Sequence, residues 1–137
     1  MYTQKVFTIR AYNRGCHLIT DQILRELPEL PQTGILHLFI QHTSAALSIN
    51  ENADPDVQID LATIMDRLVK ERENYYIHTY EGDDDMPAHA KTSLIGSSIS
   101  IPITNGLLNL GTWQGIYLCE FRNHATGRTL VATIMGE

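Results

Sequence analysis

The stretch SISIPITNGLLNLGTWQGIYLCEF, residues 98–121, decides the fold class. Ser98 to Ile103 alternates polar and apolar positions, the period of a half-buried strand. Asn105-Gly106 is a strong hairpin signal, because a type I′ turn needs positive φ at both central residues. Leu107 to Leu110 then runs back, and Gly111 to Phe121 reads as a further strand. Beyond a loop through residues 123–128, Thr129 to Met135 adds another. The last third of the chain is therefore all-β and antiparallel.

Toward the N-terminus the signals are mixed. Residues 3–11 alternate as a strand does, and Asn13 to Gly15 marks a turn. Thr20 reads as the cap of a short helix that Pro28 stops. Gly34 to Gln41 (GILHLFIQ) is a strand with Leu36, Leu38 and Ile40 on one face. If it ran on unbroken, His42, Ser44, Ala46, Ser48 and Asn50 would continue that face and turn it polar, as at the mouth of a pocket, whereas a bulge would move every later side chain. Asp54-Pro55 opens a long helix whose apolar positions, Val57, Leu61, Ile64, Met65 and Leu68, recur at helical spacing; the pattern carries it through Glu73 to Asn74. Tyr75 to Tyr80 reads as a short strand. Pro87 points to a helix beginning between Asp85 and His89 and ending before Gly96. Strands outnumber helices, and no regular βαβ series appears. The expected fold is α+β, a mostly antiparallel β-sandwich with two to three helices, in a single domain spanning residues 1–137.

Composition excludes several functions. The chain is 43% hydrophobic and 19% charged, with a formal net charge of -6. That balance argues against a non-specific nucleic-acid binder, which needs a basic field. No stretch approaches the roughly 20 apolar residues of a membrane span, and the N-terminus lacks the apolar run of a signal peptide. A cytoplasmic protein is expected. Cys16 and Cys119 have no metal-type spacing and read as two reduced thiols.

The densest chemistry lies in YEGDDDMPAHAKTSL, residues 80–94, with a second polar stretch in QHTSAALSINE, residues 41–51. Asp85 and His89 are one helical turn apart, so a carboxylate and an imidazole can share a divalent ion or act as a general-base pair. His42 is the second anchor, and its imidazole is expected to converge with Asp85 and His89. Asp83 and Asp84 read as solvent-facing, since adjacent acids repel, with one of the two left as a candidate to reach the site. Lys91, Arg122 and Arg128 are candidates for a phosphate. His17, His37 and His78 have no company in the sequence and read as structural.

Four stretches, QHTSAALSINENADPDV, EGDDDMPAHAKTSLIGSS, NGLLNLGTWQGIYLCEFR and the terminal ATIMGE, resemble in order the YjbQ-type family, whose members are often labelled secondary thiamine-phosphate synthase. The resemblance implies a sandwich of sheets with helices, assembly as a homotrimer, and a pocket holding a divalent metal, zinc or magnesium. Carried onto this chain, His42, Asp85 and His89 would hold the metal and, with Glu51, do the chemistry. Thr43, Ser44, Asn50, Lys91, Ser93, Gln114 and Arg128 would bind a small phosphorylated substrate, with Glu120 also among the characteristic polar residues. The implied reaction joins a pyrimidine diphosphate to a thiazole phosphate with release of pyrophosphate. The charge of that leaving group calls for a cation. The chain lacks a Gly-rich phosphate loop opening a helix. Two alternatives therefore stand beside it: a metal or small-ligand binding module, or a zinc-dependent hydrolase, with only incidental synthase activity.

Overall fold

The computed structural model describes residues 1–137 and contains eight strands and three helices. Strands β1 (Tyr2–Ile9), β8 (Arg128–Gly136), β3 (Thr33–Ile40), β5 (Ser98–Thr104) and β6 (Leu107–Leu108) form one sheet in that order. Strands β2 (Gly15–Leu18), β7 (Gln114–Glu120) and β4 (Ala45–Glu51) form a second. Every pairing is antiparallel. Helix α1 (Thr20–Glu26) follows β2, α2 (Pro55–Leu68) follows β4, and α3 (Asp85–Ile95) precedes β5. The fold is α+β, as the hairpin and strand pattern of residues 98–121 predicts.

The two sheets pack face to face. Leu36, Leu38 and Ile40 of β3 meet Leu47 of β4 and Ile116 and Leu118 of β7 in one buried cluster. Burial of apolar surface at roughly 25 cal/mol per Å² drives this association. Strand β7 is buried on both faces. Its alternate residues Tyr117 and Cys119, with Phe121 just beyond, pack against Met65 of α2 and Ala88 of α3. The order is therefore large sheet, small sheet, helices. This double burial explains why GIYLCEF reads as a continuous apolar run rather than an alternation.

Several local expectations change. Residues 34–51 do not make one strand: β3 ends at Ile40 and β4 begins at Ala45 in the other sheet. The turn between them frees His42, Thr43 and Ser44 from any strand face. Ala45, Ala46 and Leu47 are all buried, because β4 has a sheet on one side and α3 on the other. Thr20 does not cap α1; it is the first helical residue, and its Oγ1 instead accepts a hydrogen bond of 2.9 Å from the Ile116 amide. Helix α2 begins as the Asp54-Pro55 signal predicts, with the Asp54 carboxylate accepting from the Asp56 amide at 2.9 Å. It stops at Leu68, short of the charged run through which the pattern predicts it to continue, and Arg72 beyond it has a positive φ of 55°. Residues 75–80 form no strand. Helix α3 starts at Asp85 itself, two residues before Pro87.

Cys16 and Cys119 are free, buried and directly opposite each other in the β2–β7 ladder. No helix is long and apolar enough to cross a membrane.

Candidate functional site

The site is built where α3 starts, close to the beginning of β4 and the end of β7. Asp85 opens the helix and is only 1% exposed. A buried carboxylate needs partners for both oxygens. Oδ1 receives the Arg122 guanidinium, which enters from just beyond β7. Oδ2 faces two imidazoles, His78 Nε2 at 2.6 Å and His89 Nε2 at 3.0 Å. The ligand atoms of His78, Asp85 and His89 all lie within 4.8 Å of one another.

His89 arrives by the expected helical spacing, one turn after Asp85. His78 arrives through the irregular segment before α3. That segment reverses at Gly82, whose φ of 108° is open chiefly to glycine, and whose carbonyl accepts from the Asp85 amide at 3.3 Å. The sequence reading of His78 as structural fails because no periodicity places it near Asp85. The signal that could have found it is a histidine, then a glycine, then an aspartate with a proline shortly after it, a chain reversal into a helix start.

Asp84 does not face solvent as expected. It is buried and accepts from Arg122 Nε at 2.9 Å and the Asn123 amide at 2.8 Å. Arg122 thus spans both acids and also donates to the Glu81 carbonyl at 2.9 Å. Only Asp83 remains outside, paired with Arg72 at 3.2 Å. Burial alone would push the Asp85 carboxyl up; the His78 hydrogen bond and the charges of His89 and Arg122 outweigh it and hold the group below the usual carboxylate range. Asp84 is likewise pushed up by burial, but hydrogen bonds from Asn123 and Arg122 bring it below that range.

The donor set fits a transition ion. The Thr43 carbonyl lies 3.0 Å from His89 Nδ1, and a carbonyl only accepts, so Nδ1 carries a proton. In the neutral tautomer Nε2 then has a lone pair aimed at Asp85 Oδ2, another electron-rich atom. Either a second proton or a cation must sit between them. Two imidazole nitrogens and one carboxylate oxygen are the donors of catalytic zinc and related sites, which keep a further position open. Thr43 behind His89 and Arg122 behind Asp85 hold the ligands in place. His78 and His89 are both part-exposed, which leaves that open position facing solvent.

The other residues singled out in the sequence lie elsewhere. His42 does not join this cluster: its Nε2 accepts from the Thr129 amide at 2.8 Å, and its Nδ1 is 3.3 Å from Arg128 Nη1. Burial, and then the Arg128 charge, push the His42 imidazole down. Arg128 is buried against a fully buried Glu120, donating from Nε at 2.7 Å, and against Ser44 Oγ at 3.0 Å. The turn at residues 42–44 separates the two groups, with His42 and Ser44 facing Arg128 while the Thr43 carbonyl serves His89. Lys91 is 0% exposed, bonded to Asp66 at 2.7 Å with its ammonium 5.5 Å from the Phe121 ring. It lies on the face of α3 that packs down, so it is not open to a phosphate. Ser93 is exposed on α3. Asn50, Glu51 and Gln114 stand at the far ends of β4 and β7, five or six residues along the strand from Ala45, or roughly 16–20 Å at the rise of an extended chain. Glu51 there accepts from the Asp54 amide at 3.1 Å, and Asn50 Oδ1 from the Glu51 amide at 2.8 Å.

Beside His78 runs an open apolar groove of about 760 Å³, lined by Leu68, Tyr75, Tyr76, Ile77 and Met86, with Lys70 and Glu73 also on its walls.

Fold and site together define an α+β two-sheet protein with a part-exposed two-histidine, one-carboxylate cluster at a helix start. The chain belongs to the YjbQ-like UPF0047 family, whose description "UPF0047 protein YjbQ-like" matches residues 5–137. It is 48% identical to the UPF0047 protein YjbQ of Escherichia coli O157:H7, over 100% of both chains. It is 40% identical to the UPF0047 protein YugU of Bacillus subtilis, over 78% of this chain and 81% of that one. Among solved structures, an uncharacterized conserved protein of the yjbq/upf0047 family from Clostridium acetobutylicum superposes with a TM-score of 0.80 at 35% identity, covering 96% of this chain and 99% of that one. A YbjQ-like protein of unknown function from Sulfolobus solfataricus P2 shares the fold at a TM-score of 0.85 and 24% identity, over 100% and 99% of the two chains.

Proposed function

We propose that this protein is a divalent-metal-dependent enzyme acting on a small phosphorylated heterocycle, in its specific form joining a pyrimidine diphosphate to a thiazole phosphate with pyrophosphate release. The observation that carries the reading is the His78, Asp85 and His89 cluster, three ligand atoms of the right chemistry within 4.8 Å. These three residues would hold the ion. When bound, it would supply a Lewis acid that neutralises charge on phosphoryl or leaving-group oxygens. Arg122 holds the Asp85 carboxylate in place, and the Thr43 carbonyl would keep His89 turned toward a bound ion. The groove lined by Tyr75, Tyr76 and Ile77 suits a flat apolar ring placed against His78, and Lys70 on its wall suits a phosphate on that ring. Ile59 and Ile64, exposed on α2 and not part of that groove, support assembly as an oligomer, a homotrimer by the family resemblance, which light scattering would test.

The open face of the cluster favours a second reading, hydrolysis by metal-activated water. Both readings are tested with purified protein, zinc or magnesium, and the two thiamine precursors, following condensed product and free inorganic phosphate. Product formed only with metal, and lost in Asp85→Ala, supports the transferase. Phosphate release without condensation supports the hydrolase. Tight metal binding with neither product would leave a binding module and remove the enzymatic reading.

A further inference from the structure

At the opposite end of the small sheet lies a second cleft that the metal cluster does not use. It has a volume of about 490 Å³, within the ~300–1,000 Å³ range of small-molecule pockets. Its walls come from the end of β1, from α1 and from the far ends of β4 and β7. Arg10, Arg25, Asp21 and Gln114 line it. We propose that this cleft binds the phosphoryl group of a small phosphorylated ligand, through the guanidinium groups of Arg10 and Arg25, which both line it.

Charge is the first ground. Arg14, Arg72, Arg122 and Arg128 each meet a carboxylate. Arg10, Arg25 and Arg67 meet none, although the chain carries a net charge of -6, and Arg10 and Arg25 line the same cleft. Asp21 is the one acid lining the cleft, so two guanidiniums against one carboxylate leave it positive. An arginine fork matches phosphoryl oxygens in shape as well as charge.

Preorganisation is the second. The Arg10 guanidinium lies 3.9 Å from the centroid of the Tyr12 ring. The Tyr12 hydroxyl accepts from Gln22 Nε2 at 3.0 Å, and Gln22 Oε1 accepts from the Arg10 amide at 3.0 Å. This closed loop braces the arginine before any ligand arrives, which lowers the ordering cost of binding. Gln114 adds a neutral donor. Its Oε1 is taken by the Gly111 amide at 2.7 Å, which leaves its Nε2 hydrogens for a ligand oxygen.

The test is a titration of ¹⁵N-labelled full-length protein with pyrophosphate, at constant ionic strength and with chelator present so that metal at the other end contributes nothing. Saturable shifts are expected at the Arg10 and Arg25 Nε–Hε groups and at the Gln114 carboxamide. Arg10→Gln combined with Arg25→Gln should raise the dissociation constant at least tenfold while leaving the thermal midpoint unchanged, since both residues are exposed. Malonate, a dicarboxylate, should bind at least tenfold more weakly than pyrophosphate. Linear shifts matching those from chloride, an unchanged constant in the double variant, or equal binding of malonate would each overturn the proposal. Should the double variant fail to fold, Arg25→Gln alone, on an exposed helical face, is judged by a threefold rise against no change.

Discussion

His89 Nδ1 sits 3.0 Å from the carbonyl oxygen of Thr43, a residue 46 positions earlier in the chain. That single contact settles which ring nitrogen faces Asp85. It also ties the turn between the two sheets to the helix that lies over the small one.

The metal reading separates His78 from His42. Replacing His78, Asp85 or His89 with alanine should weaken zinc binding by about 10- to 100-fold or more, the range seen when ligands or their supports are lost. His42→Ala should leave it within a factor of about three, because His42 is occupied by Thr129 and Arg128. Competition against a chromogenic chelator measures both. Equal losses for His42 and His78 would place the centre elsewhere.

Protons should compete with that metal. Ligation needs neutral imidazoles, and without the ion a proton must lie between His89 Nε2 and Asp85 Oδ2. Zinc affinity should therefore fall steadily as pH drops from neutral toward acid, with protons released on binding. Calorimetry in buffers of different ionisation enthalpy would count them, and no proton release would contradict the tautomer argument.

Arg128 should prove a stability residue. Glu120 is fully buried, so Arg128→Ala would strand its charge at a cost of about 3–5 kcal/mol. Changing both partners, Arg128→Met with Glu120→Leu, should recover at least half of that. Urea unfolding of the single and double variants decides between this account and a substrate role.

Asp84 and Asp85 should shape acid unfolding. Both titrate lower in the folded chain than the roughly 3.9 of an unperturbed aspartate. The unfolded chain therefore binds more protons as pH falls past that value. The stability they supply is intact above about pH 4 and is lost as pH drops through their folded values. Asp84→Asn should lower the urea midpoint at pH 6 and flatten its fall below pH 4. A variant whose midpoint kept the original pH profile would refute this.

Much of the fold was legible because it rests on local pattern. The 98–103 alternation, the Asn105-Gly106 turn and the Asp54-Pro55 helix start each name their own structure within a few residues. The Asp85–His89 pair was legible for the same reason, since helical spacing stacks them. The expectation for His42 holds only if the strand runs unbroken through residues 41–44, where the chain changes sheets.

The sequence by itself determined an antiparallel α+β protein and a carboxylate with an imidazole one turn later. Only the tertiary structure decided which histidine completes that pair, that Arg122 stands behind it, and that Lys91 and Arg128 are buried with acids of their own. Hydrogen-bond periodicity is a local property of the backbone. Which side chains neutralise a buried charge depends on segments tens of residues apart meeting when the sheets close, and no spacing in the chain records that meeting.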